Sequence, residues 1–173
     1  YKVISENKDF TFTPRIYTDN KSLFQDEYRQ VNNNSSHIAD FSIIRDNSNS
    51  KSHFFSNSLA KINLANFVDS EVEINIETTS NNNYLKSYKI KSEITNNNSL
   101  LNSFIKLKAN KEDLSFETKF EVYEDLTTDK DSDKYQFLLP GFELSKNFNN
   151  NLNLVTNGYN KNYNTNVFEK VII

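Results

Sequence analysis

Two stretches of alternating apolar and polar residues, joined by a polar turn, occupy residues 9–29 and constrain the fold more than any other feature. The apolar positions are Phe10, Phe12 and Ile16 in the first stretch and Phe24 and Tyr28 in the second. The polar positions between them are Thr11, Thr13, Arg15, Gln25, Glu27 and Arg29. Alternation with a period of two is typical of a β-strand whose two faces meet different surroundings. These residues predict two neighbouring strands, the second returning along the first.

The same alternation recurs later in the chain. Residues 70–79 have apolar side chains at Val72, Ile74 and Ile76, and carboxylates on the opposite face at Glu71, Glu73 and Glu77. Residues 114–123 have apolar side chains at Phe116, Phe120 and Val122, and charged ones opposite at Glu117, Lys119 and Glu121. Three carboxylates on one face of a strand cannot enter a dry core, so we expect water on that face.

Clusters of Asn, Ser, Asp and Lys separate these stretches at regular intervals, as turns do in all-β proteins. Further strands are predicted at residues 38–45, 53–60, 101–108, 135–145 and 152–159. Pro14 supplies no backbone N–H to a sheet, so we expect a bulge or a strand end there. The sequence predicts an all-β antiparallel meander of about eight to ten strands, with no second domain.

The composition does not suit an ordinary soluble domain. Only 36% of the residues are hydrophobic, yet 14 Phe and 9 Tyr argue against disorder, because disordered chains contain few aromatic residues. Strands with one apolar and one wet face explain both observations. An outer-membrane barrel, with lipid outside and a polar lumen inside, has such strands, and so does a soluble β-sheet.

Residue usage excludes several classes of function. The absence of Cys excludes a disulfide framework and thiolate metal sites within these residues. A net charge of −3 with no basic stripe gives no reason to expect nucleic acid as a partner. No run of about 18 apolar residues is present, so no transmembrane helix is predicted, whereas a barrel strand crosses a membrane with about 9–11 residues.

No motif for catalysis or for a cofactor is found. The two glycines, Gly141 and Gly158, lie outside any phosphate-binding loop or nucleophile elbow. His37 and His53 lie on separate predicted strands without a cluster of ligands nearby. We therefore expect a protein that is not an enzyme and that binds no cofactor.

Three aspartates at alternate positions begin in the manner of a calcium loop: Asp129, Asp131 and Asp133. The match then fails, because Lys134 stands where the loop requires Gly and Pro140 stands where it requires a bidentate Glu. A solvated loop is the better interpretation, and no metal site is predicted.

The first hairpin consists of Thr13 to Tyr17, a short turn and then Glu27-Tyr28-Arg29. Its sequence resembles that of the LPS-assembly proteins (LptD, also called OstA) of Gram-negative outer membranes. The resemblance continues in order through residues 37–47, 53–79, 81–86 and 101–126. It ends in residues 135–145, which resemble the family's Tyr-x-x-Leu-Pro-x-Leu-x-Leu-Ser segment, with one extra residue between Tyr135 and Pro140. The ordered series covers nearly the whole chain.

The resemblance implies an outer-membrane barrel of many antiparallel strands behind a periplasmic jellyroll. The family releases lipopolysaccharide into the outer leaflet through an opening between the first and last strands. The implied partners are lipopolysaccharide, periplasmic bridge proteins that deliver it, a plug lipoprotein in the lumen, and the lipid of the outer membrane. By the resemblance, residues 1–173 are a single segment of that barrel, an open fragment without the jellyroll and the remaining strands.

The resemblance and the alternation together assign each face. The residues expected to face lipid are Phe10, Phe12, Ile16, Val72, Ile74, Ile76, Phe116, Phe120 and Val122. The residues expected to face the lumen are Thr11, Thr13, Arg15, Gln25, Glu27, Arg29, Glu71, Glu73, Glu77, Glu117, Lys119 and Glu121. Among these residues, Arg15 and Arg29 have guanidinium groups that suit the phosphates of a lipid. The alternative is that they pair with lumen carboxylates such as Glu27.

Asp26 departs from the family, which has a small residue on the lipid side there. We expect either that Asp26 lies near a membrane rim or that the facing is shifted by one residue around it. The alternative to the barrel is a soluble or surface-attached β-sandwich that binds glycan or protein. Its apolar stripes would pack between two sheets, whereas a barrel segment leaves them bare.

Overall fold

The computed structural model describes residues 1–18, 21–45, 50–95, 97–128, 134–149, 152–163 and 168–172. Within these residues, eleven antiparallel strands form one open sheet in chain order, β1 to β11. The strands are β1 (Lys2–Ser5), β2 (Lys8–Ile16), β3 (Ser22–Asn32), β4 (Ser35–Arg45), β5 (Ser50–Lys61), β6 (Asp69–Thr79), β7 (Leu100–Lys111), β8 (Leu114–Asp125), β9 (Tyr135–Asn149), β10 (Leu152–Tyr163) and β11 (Phe168–Ile172). One short helix, α1 (Tyr84–Ser87), lies between β6 and β7. The predicted all-β meander is confirmed.

The predicted strands correspond to observed ones, which extend a few residues further at several ends. Each strand pairs with the next along the chain, as a meander requires. The full-length strands β2 to β10 account for the expected number, and β1 and β11 add a short strand at each edge of the sheet.

A continuous register sorts the side chains onto two faces. In one row across the sheet, Phe12 pairs with Asp26, Asp26 with Phe41, and Phe41 with Phe54. In another row, Ile74 pairs with Ile105. Because side chains alternate strictly along a strand, every residue predicted to face lipid lies on one face, which we call the apolar face. Every residue predicted to face the lumen lies on the opposite face, which we call the polar face.

Pro14 causes neither a bulge nor a strand end, so that prediction is wrong. It pairs with Phe24 in the middle of an unbroken register between β2 and β3. β1 pairs with β2 only as far as Phe10. At Pro14 the strand therefore has a neighbour on one side only, and an edge position tolerates a missing backbone N–H.

The connections at the two ends of the sheet differ in length. At one end, two residues separate β1 from β2, β3 from β4, β7 from β8 and β9 from β10, and seven separate β5 from β6. At the other end, the connections contain five, four, twenty, nine and four residues in chain order. We call these the short-turn end and the long-loop end.

The longest connection folds back over the polar face. We call its described part, residues 80–95, the covering segment. Its Tyr84, Leu85 and Ile90 pack in one buried cluster with side chains of the sheet. The sheet and loop residues of that cluster are Leu23, Ile44, Phe55, Leu101 and Leu126. The polar face is thus dry over β3 to β5, where the apolar ends of these strands meet the covering segment.

Leu23→Ala tests this cluster. Leu23 is fully buried, so the substitution should lower the free energy of unfolding by about 2–5 kcal/mol through lost burial and an unfilled cavity. Urea unfolding in detergent micelles, followed by circular dichroism, measures the change. Ile16→Ala, at a side chain that is 85% exposed, should alter the free energy by no more than about 0.5 kcal/mol. Equal effects at the two positions would show that Leu23 is not part of a packed core.

Candidate functional site

The apolar face is bare over seven consecutive strands. From β2 to β8, each strand exposes at least one large apolar side chain there, with exposed fractions between 38% and 85%. These residues are Phe12, Ile16, Phe24, Phe41, Phe54, Ile74, Ile76, Ile105 and Phe120. The rings of Phe12 and Phe24 stack on one another with centroids 5.9 Å apart. An exposed apolar surface of this extent marks contact with a membrane, a protein or an apolar ligand.

Phe10, Val72, Phe116 and Val122 lie on the same face and are half-buried between their neighbours. The register thus brings the predicted lipid-facing residues together on one surface. Contact of that surface with lipid stays a prediction at this point.

Asp26 lies within the apolar face, so the expected shift in facing around it is wrong, and its position relative to a membrane rim stays a prediction. The pairing of β3 with β2 and β4 runs without a shift through Asp26. It is also the fifth residue of a strand that spans Ser22–Asn32, so it does not lie at the end of a strand. Its carboxyl group is flanked across the strands by Phe12 and Phe41.

Ion pairs lie on the polar face of β6, β7 and β8. Lys106 Nζ lies 2.5 Å from Glu73 Oε2, and Lys119 Nζ lies 2.5 Å from Glu121 Oε1. Asn102 donates a further hydrogen bond to Glu121, as does the Tyr123 hydroxyl. Charged groups held in such a network keep the face polar while leaving few unpaired charges.

Glu77 is buried, with an exposed fraction of 7%, so the expectation that its carboxylate needs water is wrong. Glu121 is buried as well, with an exposed fraction of 6%. Glu77 accepts hydrogen bonds from the backbone N–H of Asn102 at 2.9 Å and from Asn75 Nδ2 at 3.1 Å. Hydrogen bonds from the protein satisfy these carboxylates in place of water. Other members of the predicted set, among them Glu71, Glu73, Glu117 and Lys119, are half-buried, and Thr13 is exposed.

Both arginines singled out from the sequence are engaged by the protein. Arg15 donates hydrogen bonds from Nη1 to the carbonyl of Tyr88 at 2.9 Å and from Nη2 to Gln25 Oε1 at 2.8 Å. Arg29 Nε lies 2.9 Å from Asp9 Oδ1, and its Nη1 lies 3.6 Å from Glu27 Oε1. Arg15 therefore holds the covering segment, and Arg29 pairs with carboxylates of the polar face.

A buried polar network, not predicted from the sequence, joins the covering segment to the sheet. Ser42 Oγ shares a hydrogen bond with His53 Nδ1 at 2.6 Å and another with the Tyr84 hydroxyl at 2.7 Å. His53 Nε2 has no hydrogen-bond partner in the described residues, and Asp40 Oδ1 lies 3.3 Å from it. Asp40 also accepts a hydrogen bond from Gln25 Nε2 at 3.1 Å. Burial raises the pKa of the Tyr84 hydroxyl, although its hydrogen bond with Ser42 acts in the opposite direction.

Asp, His and Ser are also the residue types of a hydrolase triad, but this arrangement cannot admit a substrate. Asp40 and Ser42 are fully buried and His53 is 1% exposed. A nucleophile must reach a substrate, whereas the Ser42 hydroxyl is enclosed between the His53 ring and the Tyr84 hydroxyl. The geometry supports a structural role, in which the network fixes the covering segment to β4 and β5.

His37 does not belong to a candidate metal site among the described residues. Its Nδ1 lies 2.6 Å from Ser58 Oγ, and its ring packs against Tyr28 with centroids 5.9 Å apart. Among the described residues, no three His, Cys, Asp or Glu side chains lie close enough together to hold a metal ion. Asp129, Asp131 and Asp133 lie outside the described residues. The described helix is too short to cross a membrane.

Comparison with models of known protein families gave no match. Comparison with curated protein sequences gave no match either.

Tyr84→Phe tests the anchoring of the covering segment. The substitution removes one hydrogen bond and keeps the ring, so local opening of the segment should increase about two- to tenfold. Amide hydrogen exchange of residues 84–90, followed by mass spectrometry, measures the opening.

Tyr88→Phe is the matched control, because the Tyr88 hydroxyl makes no hydrogen bond with a described residue, and its ring contacts Tyr17 and Tyr84. It should leave exchange unchanged. If the two variants exchange alike, the contact between Tyr84 and Ser42 does not hold the segment.

Proposed function

We propose that this chain is part of the wall of an outer-membrane β-barrel that inserts lipopolysaccharide into the outer leaflet, as a non-catalytic transport component. The bare apolar face over seven strands carries the proposal, and the opposite face is polar, with half-buried ion pairs. A barrel wall needs these two faces, since lipid lies outside it and a polar lumen lies inside.

Strand length supports the membrane location. β2 to β8 contain between 9 and 12 residues. A tilted strand of about 9–11 residues crosses the hydrocarbon core of a bilayer. The strands therefore have the length that crossing requires, and the meander lets every inner strand pair on both sides.

The connections support an orientation. Outer-membrane barrels have short turns in the periplasm and longer loops outside the cell. By this rule the short-turn end faces the periplasm and the long-loop end faces outward. The covering segment, which is the longest connection, then folds from the outside into the lumen, where it contacts the polar face of β2 to β5.

The single sheet favours this function over a β-sandwich. A sandwich buries its apolar stripes between two sheets. In the described residues all strands belong to one sheet, and the large apolar residues from Phe12 to Phe120 are exposed. Lipid is the partner that covers such a surface in a barrel wall.

Lipopolysaccharide as cargo is proposed from the ordered resemblance to the LPS-assembly proteins. The partners that follow are a plug lipoprotein against the polar face, periplasmic bridge proteins that deliver the cargo, and lipid against the apolar face. No residue of this chain is assigned a catalytic role, because the proposed activity moves a lipid without breaking a bond.

Ile74→Lys and Thr13→Lys in the full-length protein form a matched test. Both side chains are exposed, but Ile74 lies in the middle of β6 on the apolar face, opposite Ser58 and Ile105, and Thr13 lies on the polar face. A Lys that faces the middle of the bilayer costs about 2–4 kcal/mol, and a Lys that faces the lumen costs little. We expect Ile74→Lys alone to reduce the folded protein in the outer membrane, and with it the lipopolysaccharide at the cell surface.

Heat-modifiable migration in gel electrophoresis measures the folded protein, and surface labelling measures lipopolysaccharide. Equal tolerance of both substitutions would contradict a lipid-facing apolar face. In a separate experiment the full-length protein is depleted from the cell. If surface lipopolysaccharide is then unchanged, lipopolysaccharide is not the cargo, although a loss of folded protein with Ile74→Lys would still support the barrel.

A further inference from the structure

Three lysines of the covering segment are exposed: Lys86, Lys89 and Lys91. The buried side chains of the segment, which pack with the sheet, lie next to them in the sequence. A hydrogen bond of 3.3 Å from the N–H of Lys89 to the carbonyl of Lys86 brings two of the lysines together within one turn, and Lys91 follows two residues later. We call these three residues the lysine cluster.

The lysine cluster lacks the carboxylate partners that other lysines of the chain have. Ion pairs with a carboxylate are formed by Lys106, Lys119, Lys134 and Lys146. No lysine of the cluster forms an ion pair with a described residue. Of the carboxylates nearby, Glu93 pairs with Arg29 at 3.5 Å, and Asp125 interacts with the charge of Lys86 without pairing. Positive charge therefore accumulates here in a chain whose net charge is −3.

The backbone of Lys89 adopts a conformation that favours glycine. Its φ is 49°, in the left-handed region, where a Cβ atom causes strain. The N–H of Ile90 donates to the carbonyl of Leu85 at 3.0 Å, so α1 ends in a Schellman motif with Lys89 at the usual glycine position. The other described residue with a positive φ is Asn66, and Asn tolerates this region. A strained residue that the fold does not require is a candidate for function.

Helix capping does not explain the lysine at this position. Arg15 Nη1 lies 2.9 Å from the carbonyl oxygen of Tyr88 and 3.5 Å from that of Lys89, so a cation already contacts the end of α1. Gln25 Nε2 donates to the carbonyl of Lys91 at 2.8 Å. These contacts from the sheet hold the backbone of the cluster, while its ammonium groups are left to solvent. Binding to such a cluster requires little further ordering of the backbone.

We propose that the lysine cluster binds a ligand with two linked phosphate groups. An ammonium group is a compact charge that suits phosphate oxygens. A phosphate group carries a charge of about −1.5 to −2 at pH 7, so two of them match three ammonium groups, whereas a single carboxylate leaves two ammonium groups unmatched. The site goes beyond the proposed function, because it depends on the contacts of the covering segment and not on the identity of the cargo.

Acetylation of lysines by a water-soluble reagent tests the site in the full-length protein in detergent micelles. Mass spectrometry reads the rate at each lysine, with inorganic pyrophosphate or with sodium chloride of equal ionic strength. We expect pyrophosphate to slow acetylation at the lysine cluster and to leave Lys61 and Lys111 unchanged, which are exposed lysines at the short-turn end. Equal slowing at all five lysines would show general screening and overturn the site.

Lys89→Gly separates binding from folding. Glycine relieves the strain at positive φ, so amide exchange of residues 84–90 should become slower than in the unmodified protein. The pyrophosphate concentration that half-protects Lys86 and Lys91 should nevertheless rise about fivefold, because one ion pair is lost. Lys61→Gln, which removes the same charge elsewhere, should leave that concentration unchanged. If Lys89→Gly also leaves it unchanged, the proposal is overturned.

The source of the phosphate is identified in the same assay with lipopolysaccharide before and after enzymatic removal of its phosphates. Protection by the phosphorylated form alone supports the site and identifies a lipid as the source. Protection by pyrophosphate but by neither lipid supports the site and identifies a soluble ligand, with no consequence for the proposed function. Equal protection by both lipid forms, or no protection by any of the three, overturns the site.

Discussion

The structure depends on one unbroken antiparallel register that runs from β2 to β8. Because side chains alternate along each strand, a single shift in pairing would exchange the two faces of every strand beyond it. The register keeps Phe12, Phe41 and Phe54 in one row and places Ile105 beside Ile74 further across the sheet. The apolar face and the polar face both follow from that constraint.

The polar face combines two ways of satisfying polar groups. Over β6 to β8, ion pairs such as Lys106 with Glu73 satisfy the charges. Over β2 to β5, the covering segment excludes water. It forms hydrogen bonds there with Arg15, Gln25 and Ser42. A barrel lumen accommodates both surfaces.

Most of the fold could be predicted from the sequence, because alternation and turn residues are local signals. The strands and the two faces follow from them. The covering segment could not be predicted, because Tyr84 forms a hydrogen bond with Ser42, which lies 42 positions earlier in the sequence. The sequence of the covering segment also contains no helix or strand signal. The expectations for Pro14 and Glu77 are wrong for a related reason. The surroundings of Pro14 depend on where β1 ends, and those of Glu77 depend on where β7 begins.

In the proposed barrel, the apolar face contacts lipid and the polar face does not. Single-cysteine nitroxide scanning of β6 tests it most directly, since the chain has no Cys of its own. In the full-length protein in bilayers, labels at Val72, Ile74 and Ile76 should collide with dissolved oxygen, which concentrates in lipid. Labels at Glu71 and Glu73 should collide instead with a water-soluble nickel complex. Similar access of the nickel complex at all five positions would contradict the account.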